Sequence, residues 1–163
     1  MTRKRSFAPV VGPAPRALIL GSLPGDASLR LGQYYGHPRN GFWELVGGAL
    51  GEDLRVLPYA RRLARLKARG IALWDVIAQA RREGSLDSAI RDESHNDVPA
   101  LIRRTGVRAV LFNGRKASEA FRRRFGPPPP EVLLVVLPSS SPAHASLSRR
   151  EKLRAWRRVA DFL

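Results

Sequence analysis

The sequence predicts an α/β domain with a parallel sheet covered on both faces, and three observations carry that reading. Four short, continuously apolar runs, 17–21, 71–75, 108–112 and 131–137, have the length and composition of strands buried on both sides. Segments with helical spacing separate them. Each run ends in a polar or glycine-containing tail, the punctuation expected where a strand gives way to a loop. The 163 residues suffice for one domain with a real core, and no internal repeat is visible.

Taken in order, residues 1–16 read as a loose basic arm that closes with Gly12-Pro13-Ala14-Pro15, and residues 17–163 as the domain proper. The run 17–21 is the first strand. A helix follows over 41–50, beginning at Phe42-Trp43. Residues 59–69 place Leu63 and Leu66 at helical spacing among cations, with Gly70 as a terminator. The second strand is 71–75, and 84–96 is polar enough to be a loop. Asn96 or Asp97 then caps a helix through Val98, Leu101 and Ile102. The third strand, 108–112, closes at Asn113-Gly114. A cationic helix over 116–125 is stopped by Gly126 and the stiff prolines 127–130. After the fourth strand, a last helix over 148–162 carries Leu153, Trp156, Val159 and Ala160 on one face.

Composition narrows the function classes. With no cysteine, disulfides, thiolate metal sites and cysteine nucleophiles are excluded, which suits a reducing compartment. No apolar run has the length of a membrane span, and the basic start lacks the apolar segment of a signal peptide, so the expected location is the cytosol. The three histidines are scattered in sequence and His95 has no ligand cluster beside it, so no metal is expected; a Gly-x-Ser-x-Gly elbow is also missing. The net charge is +15, and 25 of the 29 cations are arginine. Arginine pairs bidentately with phosphate and stacks on bases, so nucleic acid ranks above an anionic membrane as partner. An arginine-rich genome composition would give the same charge without a partner.

In an open parallel sheet, ligands sit outside the carboxyl ends of the strands. The four strand tails are Gly21-Ser22-Leu23-Pro24-Gly25, Trp74-Asp75, Asn113-Gly114 and Pro138-Ser139-Ser140-Ser141-Pro142, so all fall on one rim. Soon after the first comes Tyr34-Tyr35-Gly36-His37-Pro38-Arg39-Asn40-Gly41-Phe42-Trp43. Its rings offer stacking faces, and the carboxamide of Asn40 both donates and accepts hydrogen bonds, a mixture suited to a flat polar ring.

These segments, in this order, resemble the uracil-DNA glycosylase superfamily, and within it the branch of hypoxanthine-DNA (deoxyinosine) glycosylases, near the mismatch-specific uracil and thymine enzymes. The resemblance runs from about residue 17 to the end of the sequence. It implies a three-layer αβα sandwich with a central four-stranded parallel sheet and a monomeric, monofunctional N-glycosylase needing no cofactor. It further implies a substrate of double- or single-stranded DNA with a damaged base flipped into the protein. The implied reaction is excision of a deaminated base, chiefly hypoxanthine, leaving an abasic site. Uracil or mismatched thymine is the alternative substrate, and a non-catalytic DNA-binding protein on the same fold is the alternative of another class.

The resemblance also distributes roles. Mismatch-specific relatives carry a water-positioning asparagine in the first motif, where this chain has Leu23, beside Ser22; the catalytic duty then passes to Asn40, whose competing reading is a helix cap. Tyr35 falls where relatives stack a ring on the flipped base, against a plain core role. Asp75 stands where uracil enzymes read the base edge with asparagine, and a carboxylate there accepts from N1–H of hypoxanthine while opposing the N1 lone pair of adenine. Its competing reading is a cap on a helix at 76–82. His37 either donates to base or phosphate or braces its loop, and Asn113 either lines the pocket or makes a turn. Ser139, Ser140 and Ser141 offer hydroxyls and N–H groups to phosphates, with Pro142, Ala143 and His144 poised to enter the gap left by the nucleotide; the alternative is an ordinary serine-rich connector.

Overall fold

A computed structural model describes residues 3–163. Strands β1 (Arg3–Arg5), β2 (Ala17–Gly21), β3 (Ile71–Asp75), β4 (Ile77–Arg81), β5 (Arg91–His95), β6 (Ala109–Asn113) and β7 (Leu133–Leu137) alternate with six helices. These are α1 (Asp26–Leu31), α2 (Phe42–Leu50), α3 (Tyr59–Ala68), α4 (Val98–Thr105), α5 (Arg115–Phe125) and α6 (Arg149–Trp156), the last continuing as a 3₁₀ turn to Phe162. The predicted four-stranded parallel sheet is present, in the order β3-β2-β6-β7.

Strand periodicity explains the three layers. Successive side chains alternate between faces, and here both faces are apolar. Ala17, Ile19, Ile71, Leu73, Leu111 and Val135 join α2, α3 and α6 in one core, while Leu18, Leu20, Ala72, Val110 and Phe112 join α4 and α5 in the other. Cap chemistry sets the helix ends as expected at Asp97, which accepts from Ala100 N–H at 3.1 Å, and at Ser148, which forms a reciprocal capping box with Glu151. On the last helix Trp156 and Val159 are buried, but Ala160 is exposed, because the switch to 3₁₀ geometry after Trp156 rotates it away from the core.

Register places the strand tails together. Gly21 lies opposite Asp75, and Asn113 opposite Leu137, so the polar ends of all four strands form one rim.

Two expectations fail at one place. Residues 77–81 form a strand where a helix at 76–82 was the competing reading, and 91–95 form its hairpin partner where a loop was expected. The backbone explains why. Val76 and Ile77 donate their N–H groups to the carbonyls of Gly21 and Ser22 at 2.9 and 3.0 Å, which holds the chain extended beyond β3 against the helix propensity of Ala78, Gln79 and Ala80. Nor is the basic arm loose. Arg3–Arg5 pair antiparallel with β4, Val10 bridges to Leu73, and a three-stranded sheet β1-β4-β5 results. Met1 and Thr2 of that arm lie outside the described residues.

Candidate active site

Every residue singled out from the sequence lines one cleft of about 680 Å³ at the carboxyl rim. Its walls are the β2–α1 turn, the Tyr34–Asn40 loop, the end of β3, the start of α5 and the 139–144 loop. A sixth segment, Ser85 to Ser88 in the β4–β5 connection, was not anticipated.

Asn40 is fixed by a relay across the sheet. Its Oδ1 accepts from Phe42 N–H at 3.0 Å and from the Ser140 hydroxyl at 2.7 Å. Ser140 Oγ in turn accepts from Asn113 Nδ2 at 2.8 Å, and Asn113 Oδ1 accepts from Ser140 N–H at 2.8 Å. The N-cap of α2 is Gly41 rather than Asn40, whose Oδ1 instead accepts from the N–H of the first helical residue; because both bonds fall on that oxygen, the amide Nδ2 is what remains to meet a ligand. Asn113 is a pocket-lining strut rather than a turn former. Ser140, only 3% exposed, is turned inward and cannot serve as the expected phosphate contact.

Asp75 and Tyr35 meet over Gly21. A Cβ at position 21 would lie 2.5 Å from Asp75 Oδ1 and 2.7 Å from the Tyr35 hydroxyl, so only glycine admits both polar tips. Asp75 Oδ2 and Tyr35 Oη are buried without a hydrogen-bond partner in the protein, each an omission worth about 1–3 kcal/mol. Burial raises the Asp75 pKa to about 7, with the Asp87 carboxylate adding to the effect and Arg82 opposing it. Tyr35 is likewise pushed up, by burial first and then by Asp75. Asp75 caps no helix, since the chain beyond it is a strand; its carbonyl accepts from Asn96 Nδ2 at 2.8 Å.

Tyr35 has φ +54°, a left-handed conformation that costs an aromatic residue roughly 1–3 kcal/mol. Its neighbours hold it there. Tyr34 donates its hydroxyl to Ala8 O and its N–H to Tyr59 Oη, both at 2.9 Å, and Gly36 N–H donates to Ser28 Oγ at 2.9 Å. The Tyr35 ring stacks on Phe42 with centroids 3.9 Å apart, so one face is covered by the core while the residue still lines the cleft.

The remaining residues play lesser geometric parts. Leu23 is buried in the second core, as an apolar side chain should be. His37 Nδ1 accepts from Arg39 N–H at 3.0 Å, which braces the loop and leaves Nε2 for a ligand. In the 139–144 loop, Ser139 and Ser141 accept from the N–H groups of Ser141 and Ala143, at 3.1 and 3.2 Å, so those donors are engaged internally and unavailable to phosphate. Lys152 anchors the loop from below by donating to Ser141 O. Pro142 and Ala143 are exposed at its tip.

The unanticipated segment is tied in firmly. Ser22 Oγ donates to Asp87 Oδ1 at 2.7 Å, and Arg82, 1% exposed, donates to Pro24 O and Gly84 O beneath the first turn. Its discovery needed the fold. The sequence of β5, Arg-Asp-Glu-Ser-His, shows no apolar alternation by which a strand is recognised.

The rim of this αβα sandwich thus brings a stacked tyrosine, a relayed carboxamide and a buried carboxylate to one cleft. The family model described as "Uracil DNA glycosylase superfamily" matches residues 8–160, and the chain belongs to that superfamily. It is 48% identical over 118 residues to a hypoxanthine DNA glycosylase of Methanosarcina barkeri, covering 72% of this chain and 75% of that one. Over 117 residues it is 50% identical to a hypoxanthine DNA glycosylase of Methanosarcina acetivorans, covering 71% and 74%. Among solved structures, the solution NMR structure of a protein from Methanosarcina acetivorans, provisionally described as a uracil DNA glycosylase, superposes with a TM-score of 0.80 at 42% identity, over 97% of this chain and 99% of that one. Among the described residues, no helix is long and apolar enough to cross a membrane.

Proposed function

We propose that the protein is a monofunctional DNA glycosylase that flips hypoxanthine out of DNA and hydrolyses its N-glycosidic bond, leaving an abasic site. The observation that carries the reading is the Asn113–Ser140–Asn40 relay, which presents an oriented amide donor in the same cleft as an unpaired, buried Asp75. The likeness to hypoxanthine DNA glycosylases supports it.

The chemistry follows from those groups. As the glycosidic bond stretches, the sugar gains oxocarbenium character and negative charge spreads over the departing purine. Asn40 Nδ2 donates to an acceptor of that purine, a preorganised bond that strengthens as charge builds. Its Oδ1, already accepting twice, is poorly placed to act as a base toward water; the oxocarbenium ion is electrophilic enough to need little help. Tyr35 supplies the stacking face, held rigid by Phe42 behind it. Asp75, ionised, accepts N1–H of hypoxanthine and meets the N1 lone pair of adenine unfavourably. With a pKa of about 7 it is partly protonated near neutrality, and that fraction does not repel an anionic leaving group but does not oppose adenine either. The protein is read as a monomer acting on damaged DNA, double- or single-stranded, in the cytosol, with its +15 charge drawing the backbone in.

The test is strand scission by alkali after incubation with oligonucleotides bearing inosine, uracil, xanthine or a G·T mismatch. Cleavage should be fastest at inosine. Faster cleavage at uracil or at mismatched thymine would overturn the substrate assignment, and tight salt-sensitive binding with no scission on any oligonucleotide would overturn the enzymatic one. Asn40→Ala should lower excision by roughly 10²–10³, the range for removing one transition-state donor, while DNA binding persists.

A further inference from the structure

A nucleotide drawn out of a duplex leaves a hole in the base stack, and glycosylases need a side chain to hold that hole open. In the 139–144 loop Pro142 and Ala143 are exposed at the tip but reach less far than a leucine, and His144 is half-buried with its N–H donated to Ser141 O at 3.1 Å. That loop follows β7 at one edge of the sheet; at the other, in the hairpin that continues from β3, stands Leu86. It is 55% exposed, and of the large apolar side chains exposed among the described residues it alone lines the cleft.

A leucine on a floppy loop would mean little. This one is pinned on both sides. Ser85 Oγ accepts from Asp26 N–H at 2.9 Å, and Asp87 Oδ1 accepts from Ser22 at 2.7 Å. Leu86 O accepts from Ala89 N–H at 3.1 Å, closing a 3₁₀ turn behind which Ile90 is buried. Gly84 O accepts from both Lys4 and Arg82. Ser85 and Asp87 are themselves exposed but hydrogen-bonded back to the first turn, so the segment holds its one large apolar side chain out to solvent in a fixed turn.

We propose that Leu86 is a wedge that enters the DNA base stack from the hairpin side of the cleft as the damaged nucleotide is flipped, opposite the 139–144 loop. The inference rests on the glycosylase reading above. It concerns flipping from a duplex, not the bond-breaking step, so Leu86 is a positioning residue.

Single-stranded DNA has no stack to reseal, and this separates the roles. Leu86→Ala should excise inosine from a duplex roughly ten- to a hundredfold more slowly, which is what losing a leucine's apolar burial corresponds to. On the same strand unpaired, its rate should stay within about twofold of the parent, and Leu86→Met, which keeps the length and apolarity, should recover most of the duplex rate. The second readout does not depend on turnover. With 2-aminopurine beside the inosine in the duplex, binding of the parent protein should raise the fluorescence by unstacking, and binding of Leu86→Ala should not. Equal slowing on both substrates, unchanged duplex excision, or the same fluorescence rise in the alanine variant would overturn the wedge. A parent protein that cleaves neither substrate defeats the glycosylase reading alone, and the fluorescence comparison still decides the wedge.

Discussion

Replacing Asp75 by asparagine should make the protein more stable at alkaline pH and leave it nearly unchanged in acid. The carboxyl is 3% exposed, has one oxygen without a partner, and has a pKa raised from 3.8 to about 7. A raised carboxyl pKa means that the folded protein binds the proton more tightly than the unfolded chain between those two values. Stability conferred by the native carboxyl is therefore highest in acid and falls as pH rises from 3.8 toward 7. Asparagine cannot titrate, so the variant escapes the fall. Between pH 5 and pH 8 the wild-type protein crosses about two pH units of that interval, which at 1.36 kcal/mol each predicts that the advantage of Asp75→Asn grows by about 3 kcal/mol. Urea unfolding of both proteins at pH 5, 6, 7 and 8 measures it. The kcat/KM profile of the free enzyme supplies a second readout, with an inflection near 7 in the wild type that the variant lacks. A stability difference that stays flat across this range, or one that favours the wild type more as pH rises, would show that Asp75 is ionised and well compensated in the folded state, and the account of its protonated form would fall with it.

Gly21→Ala should cost about 1–3 kcal/mol by overpacking, because its methyl must displace Asp75 and Tyr35; thermal unfolding measures the cost, and inosine excision should fall further than the lost stability explains. Ser140→Ala breaks the relay without removing a group that lines up with the base. It should lower stability by about 1–3 kcal/mol, since Asn113 Nδ2 is left unpaired. Its kcat for inosine should drop while affinity for the duplex is unchanged, and an equal fall in both would argue against a positioning role.

The sheet was legible because each strand is an unbroken apolar run and each ends in turn chemistry, signals that survive without knowing the partner strands. The rim followed from the sheet by the topological rule, which is why Asp75, Asn113 and the serine run could be gathered before any geometry. What the sequence did not disclose is long-range. Ser140 and Asn40 are a hundred residues apart in their hydrogen bond, and nothing local distinguishes Ser140, which points in, from Ser139 and Ser141, which tie their own loop. The β4–β5 hairpin escaped for a related reason. Ala78, Gln79 and Ala80 favour helix and β5 is polar throughout; β4 is a strand because Gly21, Ser22 and Arg3–Arg5 bond to it, and β5 because it pairs with β4. Asp87 and Leu86 were hidden along with it.

The pairing of Arg3–Arg5 with β4 also orders events in time. Arg3 pairs with Arg81, far along the chain, so the hairpin carrying Leu86 and Asp87 is bounded by a non-local contact that is slow to form. The parallel sheet can form on its own apolar runs beforehand. Lys4, reaching Asp26 and Gly84, fastens that hairpin to the start of α1. A substitution that weakens the pairing of Arg3–Arg5 is consequently an alteration of the cleft wall, as surely as one within it.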